Sequence, residues 1–237
     1  MARIIRKKAV AGPRHGHGRG SCQTPELLHF VTGAVSREPA SLRRLRLGIP
    51  RQGLPAINIG PDEGRILDFL VRACGARTAV EVGTLAGYSA AWIAGALPEG
   101  GTLHTIEQEP RHAAAARRNL RALGFGAKVQ VHESPAAAAL GELALRGPFD
   151  FCFIDADKVN YPSYLRWAAR HVRPGGIVAA DNAYAFGKLH LRGRSAGEDA
   201  PAARAMREFL AAMTDARSFS SCAMLPTGEG LAVAVRT

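Results

Sequence analysis

From Pro61 onward, short apolar segments alternate with segments of helical periodicity, and this alternation constrains the fold more than any other feature of the chain. Strands are predicted at 78–82, 102–106, 128–132, 149–154 and 176–180, with a helix between each pair. Such an alternation is typical of a parallel sheet covered by helices on both faces. The sequence therefore predicts an α/β fold.

The C-terminal part departs from this pattern. Apolar segments at 219–225 and 231–235 are joined by only the five residues 226–230. A parallel crossover needs a longer connection, so these two strands are predicted to form an antiparallel hairpin. The expected fold is a doubly wound, mostly parallel seven-stranded sheet that ends in an antiparallel hairpin, the Rossmann-like arrangement of class I methyltransferases.

The positive charge is concentrated near the N-terminus. Residues 1–51 contain 11 Lys and Arg against two acids, a net charge of +9 out of the +11 of the whole chain. The segment 1–21 is rich in Gly, Arg and His and has too few apolar residues to fold alone. We expect a disordered basic tail at 1–21, followed by one α/β domain at 22–237 whose first part, about 22–60, forms a helical cap.

The basic tail has two interpretations, a solubilising segment or a phosphate-binding arm. The first is favoured, because no aromatic residues are interleaved with the charges as single-stranded nucleic acid binding would require. Nucleic acid is therefore not the expected partner. No apolar run is long enough to span a bilayer, and no secretory signal precedes the domain, so a cytoplasmic protein that does not bind membranes is expected.

Oxygen-bearing side chains follow two of the predicted strands. Asp155 comes directly after the strand 149–154, and Asp181 and Asn182 come directly after the strand 176–180. Because parallel strands end at the same edge of a sheet, these three side chains are expected to converge. Carboxylate and amide oxygens suit a hard cation, so a site for Mg²⁺, or for another divalent cation such as Mn²⁺ or Ca²⁺, is predicted. The alternative, capping of strand ends and turns, is open to each residue taken singly.

The turn after the first strand of the sheet has the sequence EVGTLAGYS, in which Gly83 and Gly87 allow a ligand to approach the backbone. The acid Glu81 beside the turn disfavours a pyrophosphate and favours a cofactor with an ammonium group, such as S-adenosylmethionine. Glu107, after the next strand, is at the position where an acid accepts hydrogen bonds from ribose. Ala136, after the third strand, is expected near the adenine.

The segments EVGTLAGYS, FIDADKVNY and GGIVAADN, in this order, resemble the cation-dependent O-methyltransferases of the caffeoyl-CoA and catechol type. The similarity extends from about Pro61 to the C-terminus. It implies that the domain at 22–237 is an S-adenosylmethionine-dependent methyltransferase. Because members of the family are often dimers, it also implies a homodimer. The residue roles that it implies are metal binding by Asp155, Asp181 and Asn182, catalysis by Lys158 as general base together with Asp155, and cofactor binding by Glu81, Gly83, Thr84, Ser89, Glu107, Ala136 and Asp157.

One departure from the family bears on the substrate. Plant members have Trp-Asn-Gly after the Asp-Asn pair, whereas this chain has Ala185, Phe186 and Gly187. The asparagine that helps to hold substrate is thus replaced by Phe186, which makes an acyl-CoA substrate less expected. The predicted reaction is methylation of one hydroxyl of a small aromatic diol, with a cation and Lys158 promoting ionisation of the phenol.

Three alternatives stay open at this point. The first is an RNA methyltransferase that uses the basic N-terminal arm, and the second is a non-catalytic module that binds S-adenosylmethionine. The third, a dehydrogenase that uses NAD, is disfavoured by the single-turn glycine pattern and by Glu81. Asn160 and Tyr161 are interpreted as residues of a helix start rather than as catalytic groups.

Overall fold

The computed structural model describes residues 24–35 and 37–237. The predicted basic tail at 1–21 lies outside them, and its boundary with the domain stays a prediction. The chain forms two units, Met1–Ser36 and Arg37–Thr237, and each is described by itself. The described part of the first unit contains one helix, α1 (Pro25–Val35), on which several large apolar side chains, Phe30 among them, are exposed.

The described residues of the second unit form seven further helices and seven strands, joined by turns and short 3-10 segments. The helices are α2 (Ala40–Gly48), α3 (Pro61–Ala73), α4 (Tyr88–Ala96), α5 (Pro110–Ala122), α6 (Ala136–Leu143), α7 (Tyr161–His171) and α8 (Ala200–Met213). The strands are β1 (Thr78–Val82), β2 (Thr102–Glu107), β3 (Val129–Glu133), β4 (Phe149–Ile154), β5 (Val172–Ala180), β6 (Phe219–Leu225) and β7 (Leu231–Arg236).

The seven strands form one sheet with the order β3-β2-β1-β4-β5-β7-β6. The first five pair in parallel, whereas β7 is antiparallel to both β5 and β6. The predicted seven-stranded sheet with its terminal antiparallel hairpin is therefore confirmed. The chain enters β1 at the middle of the sheet, so the turns after β1 and β4 lie side by side.

Strand β5 begins four residues earlier than the predicted start at 176. Val172 pairs with Phe149 before a register shift, and the intervening segment contains Arg173, whose Nε donates to Asp150 Oδ1 at 2.6 Å. The same Asp150 carboxylate accepts the backbone N–H groups of Arg77 and Thr78. Hydrogen bonds to Asp150 thus stabilise the start of this strand, and the apolar periodicity of the sequence does not reveal them.

The core lies in two layers, one on each face of the sheet. Phe151 and Phe153 belong to the apolar cluster that includes residues of α2, α3, α4 and α5. Cys152 and Ile154, which alternate with them along β4, belong to the cluster that includes residues of α6, α7 and α8. This alternation is the expected consequence of the period of two along a strand. Among residues 24–35 and 37–237, no helix combines the length and hydropathy that crossing a bilayer would need.

Candidate active site

A cavity of about 540 Å³ opens at the carboxyl edge of the sheet, above β1, β2 and β4. Val82 pairs with Ile106 on one side and with Ile154 on the other, so the residues that follow these strands emerge together. Nine of the predicted site residues line the cavity: Gly83, Thr84, Ser89, Glu107, Ala136, Asp155, Asp157, Lys158 and Asn182. Glu81 and Asp181 do not line it and are buried, with 0% and 4% of their surfaces exposed.

The turn after β1 is held by the carboxylate of Glu107. Leu85 N donates to Glu107 Oε2 at 2.8 Å, and Thr84 N lies 3.4 Å from the same oxygen. Gly83 has a φ of 94°, Leu85 a φ of 49° and Gly87 a φ of 84°, so the turn contains three left-handed residues. Glu107 therefore shapes the turn as well as lining the cavity, a role that the sequence did not predict.

Gly83 brings this turn into direct contact with the segment after β4. A Cβ atom built on Gly83 would overlap the backbone carbonyl oxygen of Asp155. Asp155 is fixed from the same side, because its N–H donates to Val82 O at 2.8 Å. The absence of a side chain at residue 83 is thus what allows the two loops to approach each other.

Glu81 lies in the interior below the turn. Its Oε2 accepts a hydrogen bond from Thr105 Oγ1 at 2.6 Å, and Thr105 in turn contacts Thr84 Oγ1. Its Oε1 is buried without a hydrogen-bond partner among the described residues. Burial raises the pKa of Glu81 to about 8, and the negative charges of Asp155 and Glu107 add to the effect. This carboxylate would be stabilised by a positive charge bound nearby.

Asp155, Lys158 and Asp181 form a second polar group. Lys158 Nζ donates to Asp155 Oδ1 at 2.9 Å, and both side chains are mostly buried. Asp181 N donates to Ile154 O, which places Asp181 directly after β5 and beside Asp155. Asn182 follows in a left-handed conformation with a φ of 54°. The structure thus brings Asp155 and Asn182 to one cavity, with Asp181 buried near Asp155, and the predicted metal-binding role of the three residues stays a prediction.

The buried carboxylate of Asp181 is only partly satisfied. Its Oδ1 is buried and makes no hydrogen bond within the described residues. Burial raises the pKa of Asp181 well above its usual range, and the negative charges of Asp155 and Glu63 raise it further. An unpaired buried carboxylate costs several kcal/mol, so this arrangement fits a cation better than it fits the residues alone.

The donor set is small. Residues 24–35 and 37–237 contain no group of three or more His, Cys, Asp or Glu residues arranged to hold a metal ion. The candidate set consists instead of two carboxylates, from Asp155 and Asp181, and the amide oxygen of Asn182. Such a set leaves positions for substrate or water oxygens around a hard cation, and it therefore fits Mg²⁺.

Asp157 is positioned by two neighbours. Tyr164 Oη donates to Asp157 Oδ1 at 2.5 Å, and Asn160 Nδ2 donates to Asp157 Oδ2 at 2.5 Å. Tyr164 also lines the cavity. Asn160 and Tyr161 stand at the start of α7 as predicted, but the hydroxyl of Tyr161 also lies 2.7 Å from Lys158 Nζ.

Sequence reasoning missed several residues of the site. Glu63, which caps α3 by accepting the Gly60 N–H at 2.8 Å, is buried close enough to Asp181 to affect its charge. Tyr88 lines the cavity while its hydroxyl donates to Glu38 Oε1 at 2.6 Å. His112 lines the cavity with its Nδ1 3.8 Å from Glu107 Oε1. The helical position of Glu63 and His112 was visible in the sequence, but the side of the fold that they face was not.

Comparison with known proteins identifies the family. A family model described as O-methyltransferase matches residues 33–237. The chain belongs to the O-methyltransferase family. A catechol O-methyltransferase of Niastella koreensis is 40% identical over 163 residues, which cover 68% of this chain and 74% of that protein. Caffeoyl-CoA O-methyltransferase 2 of Zea mays is 32% identical over 233 residues, which cover 93% of this chain and 86% of that protein.

The fold of this family member agrees with that of solved relatives. The O-methyltransferase from Bacillus cereus, solved in complex with SAH, superposes with a TM-score of 0.81 at 30% identity and covers 90% of this chain and 97% of its own. The predicted class I methyltransferase fold, the predicted family and the assignment as an O-methyltransferase are therefore confirmed. Family membership disfavours a dehydrogenase.

Proposed function

We propose that this O-methyltransferase transfers the methyl group of S-adenosylmethionine to one of two vicinal hydroxyls of a small aromatic diol, with the aid of a divalent cation. The observation that carries the proposal is the unpartnered, buried Oδ1 of Asp181, next to Asp155 and Lys158, which line the same cavity as the glycine turn and Glu107. A cation site and a cofactor site would thus share one cavity.

The proposed cofactor site is the part of the cavity nearest the turn after β1. Gly83 and Thr84 present backbone to it, Glu107 is placed to accept hydrogen bonds from ribose, and Ser89, Ala136 and Asp157 complete its lining. The unpaired Oε1 of Glu81 favours a positively charged group nearby. The SAH bound to the Bacillus cereus relative, the demethylated product of S-adenosylmethionine, supports this choice of cofactor.

Asp155, Asp181 and Asn182 would hold the cation. A bound Mg²⁺ would stabilise the negative charge that develops on the hydroxyl oxygens of the acceptor. The carboxylate of Asp181 would then be kept ionised by the opposite charge, which relieves the cost of burying its unpaired oxygen.

Lys158 is the proposed general base. It lines the cavity, and its Nζ is held by Asp155 within reach of a bound acceptor. In the neutral form it would take the proton of the acceptor hydroxyl. The oxygen then attacks the methyl carbon, the bond from carbon to the sulfonium sulfur breaks, and its electron pair converts the sulfonium into a thioether. The walls of the cavity contribute by holding the acceptor oxygen in line with the methyl group of the cofactor.

The acceptor is proposed to be a catechol rather than a caffeoyl-CoA ester. Phe186 lines the cavity with 48% of its surface exposed, at the position where plant members have an amide side chain. An exposed aromatic ring at the cavity edge can stack on a planar acceptor. Relatives are named for both catechol and caffeoyl-CoA, so this choice rests on Phe186.

The experiment that tests the proposal is methyl transfer from labelled cofactor to catechol, to caffeoyl-CoA and to RNA, each with Mg²⁺ and with EDTA. We expect transfer to catechol that requires Mg²⁺ and is lost in Lys158→Ala. A Lys188→Ala variant, which changes a lysine outside the cavity lining, serves as the matched control and should retain activity. Labelling of RNA alone would contradict the proposal, and so would full activity of Lys158→Ala.

The predicted homodimer and the predicted cytoplasmic location stay proposals based on the family resemblance and on composition. The basic tail is proposed to act in solubility rather than in catalysis. Deletion of residues 1–21 should then leave the rate of methyl transfer to catechol unchanged.

A further inference from the structure

Among the described residues, the hydroxyl of Tyr161 is the one polar contact of the Lys158 side chain to which the proposed mechanism gives no role. Tyr161 is fully buried at the start of α7 and does not line the cavity. Its Oη lies 2.7 Å from Lys158 Nζ and 3.3 Å from Ile154 O. The hydroxyl therefore connects the end of β4 with the lysine that faces the cavity.

The directions of these hydrogen bonds follow from the groups involved. A phenol has a single proton, and a backbone carbonyl can only accept. Tyr161 Oη therefore donates to Ile154 O, which leaves its oxygen to accept an N–H from Lys158. A second N–H of Lys158 is donated to Asp155 Oδ1 at 2.9 Å.

These two contacts determine which way the nitrogen of Lys158 points. The nitrogen is tetrahedral, and three of its positions are taken by Cε, by the N–H directed at Asp155 and by the N–H directed at Tyr161. The fourth position is left for the cavity, which Lys158 lines. In a neutral amine that fourth position is the lone pair, the site that would accept a proton from a bound hydroxyl.

We propose that Tyr161 is a positioning residue for the reaction, whose hydroxyl, together with Asp155, directs the free position of Lys158 Nζ into the cavity. The proposal rests on the proposed role of Lys158 as general base. With the hydroxyl removed, the amine would rotate about its last side-chain bonds, and the lone pair would point at the acceptor in only a fraction of the molecules. Catalysis depends strongly on such alignment.

A role in packing alone predicts a different outcome, because the ring and the hydroxyl can be separated. The ring of Tyr161 contacts those of Phe209 and Tyr164, with centroids 5.6 and 6.4 Å away. Tyr161→Phe keeps these contacts. It also leaves Ile154 O with a donor, because Asp181 N donates to the same oxygen at 3.0 Å.

The test is steady-state kinetics of Tyr161→Phe with catechol and Mg²⁺. We expect kcat to fall about tenfold or more, with the KM values for cofactor and catechol and the melting temperature nearly unchanged. The matched comparison is Tyr164→Phe on the same helix, which removes the hydrogen bond to Asp157 and should raise the KM for S-adenosylmethionine instead. An unchanged kcat in Tyr161→Phe would overturn the inference.

Two further comparisons of variants separate a failed fold and a failed base from a failed positioning role. Should Tyr161→Phe fail to fold, para-aminophenylalanine and para-methylphenylalanine are compared at position 161, since both fill the para position but only the amine can contact Lys158. Equal kcat values in those two variants would overturn the inference. If Lys158→Ala is inactive while Tyr161→Phe is fully active, only the positioning role fails. If Lys158→Ala is fully active, the proposed base fails as well.

Discussion

The contact between Gly83 and Asp155 gives a prediction that joins stability to activity. Gly83→Ala would place a methyl group in the left-handed region, where φ is 94°, and against the carbonyl oxygen of Asp155. The matched control is Gly124→Ala after α5, where φ is 84° but, apart from the two chain neighbours, no atom of the described residues lies within 4 Å of the added Cβ. Both variants are destabilised by the left-handed conformation, and only Gly83→Ala is also destabilised by the overlap.

The magnitudes follow from these two terms. A left-handed conformation costs an L-residue roughly 1–2 kcal/mol, and forcing an extra carbon into a packed site costs about 1–3 kcal/mol more. We therefore expect Gly124→Ala to lose about 1–2 kcal/mol and Gly83→Ala about 2–5 kcal/mol of the free energy of unfolding. For a chain of this size, each kcal/mol lowers the melting temperature by roughly 2–4 °C.

The assay is urea unfolding, combined with methyl transfer at a temperature at which both variants are folded. Gly83→Ala should also lose activity, because the overlap displaces the backbone of Asp155, whereas Gly124→Ala should remain active. The reasoning would be refuted if the two variants were equally destabilised and Gly83→Ala kept the wild-type rate.

Three further predictions concern stability and local unfolding. Asp150→Asn removes the ion pair with Arg173 and weakens the acceptor of two backbone N–H groups, so we expect a loss of about 2–4 kcal/mol in urea unfolding, with kcat unchanged. Burial lowers the pKa of His104 to about 4. The unfolded chain therefore takes up a proton at His104 first as the pH falls, so the contribution of His104 to the free energy of unfolding should be constant above about pH 6.5 and decline by up to about 3 kcal/mol toward pH 4. The raised pKa values of Glu81 and Asp181 act in the opposite direction, so the effect is read as the difference between the wild type and His104→Gln. Tyr88→Phe removes the hydrogen bond to Glu38, so amide hydrogen exchange in α2 should accelerate.

Each of these predictions has a control. In Asp150→Asn, a fall in kcat at unchanged stability would contradict a purely structural role. For the histidine, the stability of the wild type relative to His104→Gln, measured in urea at pH 7.5, 5.5 and 4.5, should fall as the pH falls; a constant difference would assign the pH dependence to other groups. For Tyr88→Phe, exchange in α8 on the opposite face should stay at the wild-type rate, and faster exchange in both helices would indicate general destabilisation.

Much of the fold was predictable because local signals agreed with the global pattern. Proline in the first turn marked the starts of α3 and α5, and the apolar run at 149–154 gave the bounds of β4. The extension of β5 to Val172 was not predictable, since the polar, proline and glycine residues that follow it interrupt the apolar pattern. What holds them is Asp150, more than 20 residues earlier in the chain.

The candidate site was predictable to the extent that its residues follow strands. Asp155, Asp181 and Glu107 each come directly after an apolar run, and topology alone brings them to one edge. The contacts between distant segments were not predictable, for example the hydrogen bond from Tyr88 to Glu38, 50 residues apart. The left-handed conformation of Phe186 was equally hidden, because such a φ is uncommon for a bulky residue and carries no local signal.

The central claim, that Asp155, Asp181 and Asn182 form a cation site, is tested most directly by calorimetric titration of Mg²⁺ into the protein with SAH present. The account predicts one Mg²⁺ per chain, with binding at least about tenfold weaker in Asp181→Asn, which preserves the shape of the side chain but removes its charge. Equal Mg²⁺ affinity in the wild type and in Asp181→Asn, or no binding to either protein, would contradict it.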